Sequence, residues 1–150
     1  MAIQQLIMDL DNEPGRLFSV TDALGTAGVN IKALTVVDRE GMSTARMLVN
    51  DVKSARAVVL SLDVPARIDD VLVVKIADAP GSLAAMLEPV FDEYVNIQYL
   101  EAFSEVNGQA VAIIRFSDNA AAQAVLEAHD HTLMTVDEVF PQLDSDLDDE

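Results

Sequence analysis

A segment near the start of this chain occurs again 66 positions later. Residues 12–17, NEPGRL, correspond to residues 78–83, DAPGSL, and Val29-Asn30-Ile31 corresponds to Val95-Asn96-Ile97. A repeat of this length is a small folding unit rather than a solenoid module. It combines apolar positions that can build a core with a Pro-Gly loop and an Asn that can build a site.

The first copy predicts the element order βαββαβ. An alternating strand leads to a helix that can begin at Pro14, because proline suits the first helical turn, and Gly28 can end that helix. A hairpin then turns at residues 38–41 and Asp51 can cap a second helix. A short strand over residues 66–69 completes the unit.

The second copy predicts the same order. Its first helix begins at Pro80, and Asn107-Gly108 is a strong hairpin signal. Either Ser117 or Asp118 caps the helix that follows, and the last strand is expected near residues 133–136.

The repeat divides the chain into residues 1–70, residues 71–141 and a tail over residues 142–150. Tyr94 stands where the first copy has Gly28, so the second copy's first helix is expected to end differently. Both faces of several strands are apolar, which predicts that the face without helices is covered by the other unit or by a second chain.

Charge and composition exclude several classes of function. The chain has 26 acidic against 9 basic residues and a formal charge of −17, so nucleic acid and anionic membranes are not expected partners. It has no Cys, which excludes disulfides, thiol catalysis and thiolate metal sites. Without a leader or a long apolar segment it is expected to be cytoplasmic. Five acids in the tail predict disorder there: Asp144, Asp146, Asp148, Asp149 and Glu150.

The start of each repeated helix is a candidate site for a zwitterion. The first N–H groups of a helix lack internal partners and suit a carboxylate, and Gly15 or Gly81 lets a ligand approach the backbone. Asp11 with Asn12, or Asp78 in the second copy, can hold an ammonium group. The alternative is that Pro-Gly after Asp or Asn is ordinary turn chemistry.

The segments NEPGRL…GVNIKALTV (residues 12–17 and 28–36) and DAPGSL…VNIQYL (residues 78–83 and 95–100) resemble the ACT domain, the small βαββαβ ligand-binding module of amino-acid metabolism. The resemblance covers nearly the whole chain except the acidic tail. It implies an α+β, ferredoxin-like fold repeated twice and paired into one antiparallel sheet of about eight strands, with the helices on one face.

The resemblance also implies a regulatory protein, not an enzyme, that binds a free amino acid in the loop after the first strand, at the interface between two ACT units. The candidate contacts in the first copy are Asp11, Asn12, Glu13, Pro14, Gly15, Arg16, Leu17, Asn30 and Ile31. Those in the second copy are Asp78, Ala79, Pro80, Gly81, Ser82, Leu83, Asn96 and Ile97. The two loops differ in sequence, which predicts unequal affinities.

The remaining expectations concern the assembly, an alternative function, cofactors and metals. The expected assembly is a homodimer, and the alternative function is a regulatory subunit that binds and feedback-controls a biosynthetic enzyme, since the first copy is also similar to the regulatory subunit of acetohydroxyacid synthase. No cofactor is expected. His129 and His131 lack a third ligand and are expected to be surface residues, so no metal site is predicted.

Overall fold

The computed structural model describes residues 2–105 and 108–141, which contain seven strands and five helices. The strands are β1 (Ile3–Asp11), β2 (Ile31–Arg39), β3 (Met42–Val49), β4 (Ala66–Ala77), β5 (Ile97–Ser104), β6 (Gln109–Phe116) and β7 (Thr132–Leu133). The helices are α1 (Arg16–Thr26), α2 (Val52–Ser61), α3 (Ser82–Asp92), α4 (Asn119–Ala128) and α5 (Val136–Val139). Asn107, for which a hairpin turn is predicted, lies outside the described residues. The acidic tail over residues 142–150, for which disorder is predicted, lies outside them as well.

The chain divides into two compact units. The N-terminal unit is Gln4–Asp70. The C-terminal unit comprises the chain from Val71 onward together with residues 1–3. In the N-terminal unit the strand order is β2-β3-β1-β4, and in the C-terminal unit it is β5-β6-β4-β7. The predicted ferredoxin-like fold, with antiparallel strands and the order βαββαβ, is confirmed.

Strand β4 belongs to both units. The sequence predicts a short strand over residues 66–69 that runs almost directly into a strand over residues 71–77, and the structure joins the two into one strand of 12 residues. The side chain of Gln4 donates a hydrogen bond to the Asp70 carboxylate at 3.3 Å. The described residues therefore contain seven strands where the sequence predicts about eight.

Each unit has an apolar core between its helices and one face of its sheet. In the N-terminal unit Leu6 and Met47 of the strands pack with Leu24 of α1 and Val59 of α2. The C-terminal unit repeats this arrangement with α3 and α4, and the largest buried helical side chains there are Met86 and Leu126. The periodic apolar residues of the sequence thus form most of the predicted inner faces of the helices, but Leu83, predicted on the inner face of α3, is 36% exposed and lies outside the core cluster.

The opposite face of each sheet is buried as well. Ile7 and Leu48 are almost fully buried in the N-terminal unit although neither belongs to its helix-packed cluster, and Val73 and Ile113 are equally buried in the C-terminal unit. The strands are therefore buried on both faces, as their apolar sequences indicate.

The first helices of the two units end in the same way, contrary to the sequence expectation. Gly28 follows α1 with φ of 79°, and Tyr94 follows α3 with φ of 56°. In both units the next N–H donates back into the helix, from Val29 to the Leu24 carbonyl at 2.9 Å and from Val95 to the Val90 carbonyl at 3.4 Å. Tyr94 thus adopts the left-handed conformation that normally selects glycine.

Replacing Tyr94 with Gly is expected to raise the free energy of unfolding by about 1 kcal/mol, because the left-handed conformation is strained for a residue with a Cβ atom. The ring of Tyr94 is 91% exposed, so little packing is lost. Urea unfolding measures the change. Phe91→Gly, inside α3, is the control and should destabilise the protein. An unchanged or lower stability of Tyr94→Gly would show that the left-handed conformation is not strained.

The end of the second unit differs from the prediction. Strand β7 comprises only Thr132 and Leu133, and the short helix α5 follows where the strand is expected to continue. Thr135 and Glu138 form a capping box in which each side chain hydrogen-bonds the other's backbone N–H. This Thr-x-x-Glu spacing is a known helix-start signal and was available in the sequence.

Candidate functional site

The first candidate loop joins β1 to α1. Asn12 donates its N–H to the Gly41 carbonyl at 2.9 Å, which fixes the loop to the β2–β3 turn. Gly15 is the N-cap of α1, with φ of 85° and ψ of −6°. The N–H of Arg16, the first helical residue, donates to the Glu13 carbonyl at 3.2 Å. The loop is therefore a closed turn that ends in a left-handed glycine.

The second candidate loop has the same backbone geometry. Asp78 donates its N–H to the Gly108 carbonyl at 2.9 Å, and Ser82 donates to the Ala79 carbonyl at 3.2 Å. Gly81 caps α3 with φ of 82° and ψ of −6°. The sequence repeat is thus a repeat of hydrogen bonds and dihedral angles, although the side chains at several positions differ.

The helices begin two residues later than the sequence predicts. Pro14 and Pro80 lie in the turns, and the first helical residues are Arg16 and Ser82. The physical reason is the glycine between them, because a positive φ cannot belong to a right-handed helix. Proline here shapes the turn rather than the first helical position.

Within the described part of the chain these two helix starts have no side-chain cap, whereas the other three helices have one. Asp51 accepts a hydrogen bond from the Ser54 N–H at 3.1 Å at the start of α2, and Asp118 caps α4 in the same way. The hydrogen bonds from Ser54 also lower the pKa of the Asp51 carboxyl. In contrast, α1 and α3 have neither a capping side chain nor an acidic residue in their first turn.

The uncapped helices leave backbone donors unused. Within the described residues, no acceptor lies against the N–H groups of Leu17 and Phe18 in α1, or against those of Leu83 and Ala84 in α3. The first internal bonds come one residue later, from Ser19 to the Gly15 carbonyl and from Ala85 to the Gly81 carbonyl. Two N–H groups in each unit are therefore available to an external acceptor.

The space in front of each glycine is open. A Cβ atom added at Gly15 or at Gly81 would meet no atom within 4 Å. Residues 11–15 and 78–81 are exposed, and Arg16 and Ser82 are half-buried. None of the side chains in residues 2–105 and 108–141 fills the position next to either glycine. Both glycines have positive φ, so the backbone conformation favours glycine here, and the missing side chain also leaves room for a ligand.

Asn30 and Asn96 hold equivalent places just before β2 and β5. The backbone N–H of Asn30 donates to the side-chain oxygen of Asn50 at 2.9 Å, and that of Asn96 donates to the Ser117 hydroxyl at 3.0 Å. Ser117 thus holds Asn96, and Asp118 is the cap of α4. The side chains of both asparagines are exposed, and Ile31 and Ile97 open the strands that follow.

The two loops differ in charge. Glu13 and Arg16 in the first loop are replaced by Ala79 and Ser82 in the second. The first loop therefore offers two additional charged side chains, while the second leaves Asp78 as its only charged residue. This difference is the structural basis for the expected inequality of the two sites.

Other candidate chemistry is not assembled in the described part of the chain. Residues 2–105 and 108–141 contain no group of three or more His, Asp or Glu side chains placed to hold a metal ion. His129 is exposed, and its Nδ1 lies 2.8 Å from the Val125 carbonyl oxygen. None of the described helices is both long enough and apolar enough to cross a membrane.

Known proteins resemble this chain over most of its length. The model of the ACT domain pair family matches residues 1–139. The crystal structure of protein BT0572 from Bacteroides thetaiotaomicron is similar with a TM-score of 0.88 and 28% identity, over 94% of this chain and 97% of that one. No curated protein matches.

Two further solved structures share the fold. The regulatory subunit of aspartate kinase from Thermus thermophilus, in its ligand-free form, has a TM-score of 0.64 and 18% identity, over 84% of this chain and 89% of that one. The corresponding subunit from Thermus flavus has a TM-score of 0.61 and 18% identity, over 93% and 94%.

Proposed function

This chain belongs to the ACT domain pair family, and from that premise we propose that it is a regulatory protein that senses a free amino acid. The ligand binds at the starts of α1 and α3. Its carboxylate accepts hydrogen bonds from the N–H groups of Leu17 and Phe18 in one unit and of Leu83 and Ala84 in the other. The protein acts as a sensor in the cytoplasm rather than as a catalyst.

The missing caps at α1 and α3 are the observation that carries this proposal. The chain has 26 acidic residues, and it uses carboxylates to cap α2 and α4. At the two duplicated loops it uses glycine instead, which leaves the N–H groups and the positive end of the helix dipole unmatched. An external carboxylate satisfies both, and a helix N-terminus is a common anion-binding position.

The charge of the whole chain favours a zwitterion over other anions. A formal charge of −17 repels ligands with a net negative charge, such as phosphates and dicarboxylates. An amino acid with a neutral side chain has no net charge and interacts mainly with groups close to it. Its ammonium group can be held by Asp11 and Asn12 in the first loop and by Asp78 in the second.

The remaining predicted contacts complete the two binding sites. Glu13, Pro14, Gly15, Arg16, Ala79, Pro80, Gly81 and Ser82 shape the loops, and Asn30, Ile31, Asn96 and Ile97 are the contacts that the family resemblance adds. Because Arg16 is charged and Ser82 is not, we expect the first site to hold a carboxylate more tightly.

A thermal-shift screen of the twenty amino acids tests the proposal. A ligand that binds only the folded state raises the melting temperature, and at one hundred times its Kd it contributes about 2.7 kcal/mol. The expected result is a clear shift with at least one amino acid and none with its amide, which lacks the carboxylate. The proposal would be wrong if no amino acid shifted the melting temperature.

Ala84→Asp and Phe18→Asp separate loss of the site from loss of the fold. Both residues are exposed and occupy the third helical position, where an internal carboxylate can reach the free N–H groups. Such a carboxylate stabilises a helix by about 0.3–1 kcal/mol, so each variant should melt no lower than the original protein. In the double variant the amino-acid shift should disappear, because the donors are occupied.

Ala120→Asp is the matched control, since it adds the same charge to the exposed first turn of α4, which Asp118 already caps. This variant should keep the full amino-acid shift. A double variant Phe18→Asp/Ala84→Asp that kept the shift would place the ligand elsewhere and contradict the proposed site.

A regulatory subunit that binds a biosynthetic enzyme is the second candidate function, and two exposed aromatic side chains favour it. Phe91 is 74% exposed and Tyr94 is 91% exposed, and both lie at the C-terminal end of α3. A pull-down from native extract should then recover one enzyme in stoichiometric amount, and Phe91→Ala should lose it. Recovery of the chain alone favours the sensor without a partner enzyme.

A further inference from the structure

The C-terminal end of α3 exposes two aromatic side chains that are close in sequence. Phe91 is 74% exposed and Tyr94 is 91% exposed, and the N–H of Tyr94 donates to the Phe91 carbonyl at 3.0 Å. Glu88 is also exposed and lies one turn before Phe91 on the same side of the helix. Asp92, the last residue of α3, and Glu93, its C-cap, are exposed as well. These five residues form what is termed here the α3-end surface.

The fold does not require the α3-end surface, because the first unit forms the same helix end with smaller residues. Helices α1 and α3 are both followed by a residue with positive φ, 79° at Gly28 and 56° at Tyr94. The last four positions of the surface correspond, 66 residues earlier, to Gly25, Thr26, Ala27 and Gly28. Two aromatic rings and two carboxylates therefore replace small uncharged residues on an equivalent backbone.

Three choices at the α3-end surface are unfavourable for the chain by itself. Asp92 and Glu93 lie at the negative end of the helix dipole, where a cation rather than a carboxylate is stabilising. Phe91 leaves most of an apolar ring in water. Tyr94 holds a left-handed conformation that glycine adopts more readily. Local conflicts of this kind are expected at functional sites, where a partner can compensate for them.

The distribution of charge along the chain indicates what kind of partner fits this surface. Residues 76–114, which include α3, contain six acidic residues and no Lys, Arg or His. Seven of the nine Lys and Arg residues lie in residues 1–70 instead. A cationic partner therefore meets no positive charge from this segment, and both the carboxylates and the negative end of α3 attract it.

We propose that the α3-end surface docks an arginine-bearing segment of a partner protein. A guanidinium group can stack on the ring of Phe91 or Tyr94 while it donates hydrogen bonds to a neighbouring carboxylate. Arginine suits this combination better than lysine, because its planar group both stacks and binds two oxygens at once. The proposal rests on the second candidate function, whose partner it specifies, and it is independent of amino-acid binding.

A second copy of this chain is a less suitable occupant than a basic partner. Residues 1–70 contain ten acidic and seven basic residues, so even the more basic half of the chain has a net negative charge. Repulsion between two negative surfaces opposes such a contact. A segment rich in arginine from another protein is attracted instead.

Fluorescence anisotropy with a labelled peptide tests the proposal. The probe is a short peptide in which arginines alternate with glycine and serine, and its matched control has lysine in place of every arginine. The arginine peptide should bind the purified chain more tightly than the lysine peptide of equal charge, because the guanidinium group stacks and donates to both oxygens of a carboxylate. An arginine peptide that did not bind at millimolar concentration would overturn the proposal.

Truncation of the two rings separates the α3-end surface from general electrostatic attraction, because it leaves the charge of the chain unchanged. Phe91→Ala and Tyr94→Ala should each weaken binding of the arginine peptide about two- to fivefold, the contribution of an exposed cation–π contact. Phe18→Ala is the matched control and should change binding little, since Phe18 is 71% exposed but lies on α1. Unchanged binding by the double variant Phe91→Ala/Tyr94→Ala would contradict the proposed surface.

Tyr94→Gly separates loss of the surface from loss of the fold. This variant removes the ring together with the left-handed strain, so it should unfold at a higher urea concentration and yet bind the arginine peptide more weakly. Asp92→Asn should also weaken binding, whereas Asp22→Asn, the same change of charge at an exposed position of α1, should not. Equal effects of the two charge variants would mean attraction to the chain as a whole and would refute the proposal.

Other occupants of the surface give different results. If the double variant Phe91→Ala/Tyr94→Ala lowered the sedimentation coefficient of the chain, the surface would be a contact between copies and the proposal would be wrong. The peptide is measured with the purified chain alone. Its binding would therefore support the α3-end surface even if no amino acid shifted the melting temperature and a pull-down recovered no enzyme.

Discussion

Truncation of Leu24 to alanine is expected to lower the free energy of unfolding by about 3 kcal/mol. Leu24 is fully buried on the inner face of α1, where it packs in the cluster that also contains Leu6 and Met47. The truncation removes apolar contacts and leaves a cavity that the surrounding strands can fill only in part. Because folded domains are stable by only about 5–15 kcal/mol, this loss should be easily measured.

Urea unfolding measures this loss. The m-value, the slope of the free energy of unfolding against urea concentration, should stay unchanged, because an altered slope would mean that the unfolded state had changed. Leu60→Ala is the matched control. Leu60 lies on α2 and is 44% exposed, so the same truncation should cost less than about 1 kcal/mol. Equal losses for the two variants would show that Leu24 is not held in a close-packed core.

Replacement of Gly81 by alanine is expected to lower the free energy of unfolding by about 1–2 kcal/mol. The added methyl group meets no atom within 4 Å, so the loss comes from the backbone conformation, whose φ is 82°. Gly25→Ala is the opposite case. That glycine lies within α1 with equally open surroundings and no positive φ, and alanine there should raise stability by about 1 kcal/mol.

The sign of the change distinguishes backbone strain from steric fit. If Gly81→Ala and Gly25→Ala changed stability in the same direction, the left-handed conformation at Gly81 would be refuted. Circular dichroism checks that both variants fold. A bulky residue at position 81 would strain the backbone, so a loss of binding there could come from a loss of stability. Ala84→Asp changes an exposed helical position and avoids this strain.

The repeat and its apolar periodicity were sufficient to predict most of the fold. The inner faces of the helices and the element order follow from positions such as Leu24, whose burial depends on spacing alone. The sequence indicated that two strands follow almost directly on each other at Asp69-Asp70, but it did not show that they merge into the single strand β4. Its strand conformation depends on pairing with β1, a contact between residues far apart in sequence.

The sequence alone proposes the two candidate loops but does not describe their hydrogen bonding. The Pro-Gly motif marked both loops, yet the absence of caps at α1 and α3 could not be predicted, because a cap can come from a distant side chain. Asn50 and Ser117 satisfy the backbone N–H groups of Asn30 and Asn96 from about 20 residues away. Only a structure shows that, among the residues it describes, no such side chain serves the N–H groups of Phe18 or Ala84.

The continuous strand β4 limits how this protein could be altered by evolution or by engineering. Most duplicated domains are joined by a tether that tolerates inserted segments. Here residues inserted between Asp70 and Val71 would break one continuous strand that is paired with both β1 and β6. The two repeats can therefore be transferred to another protein only as one piece.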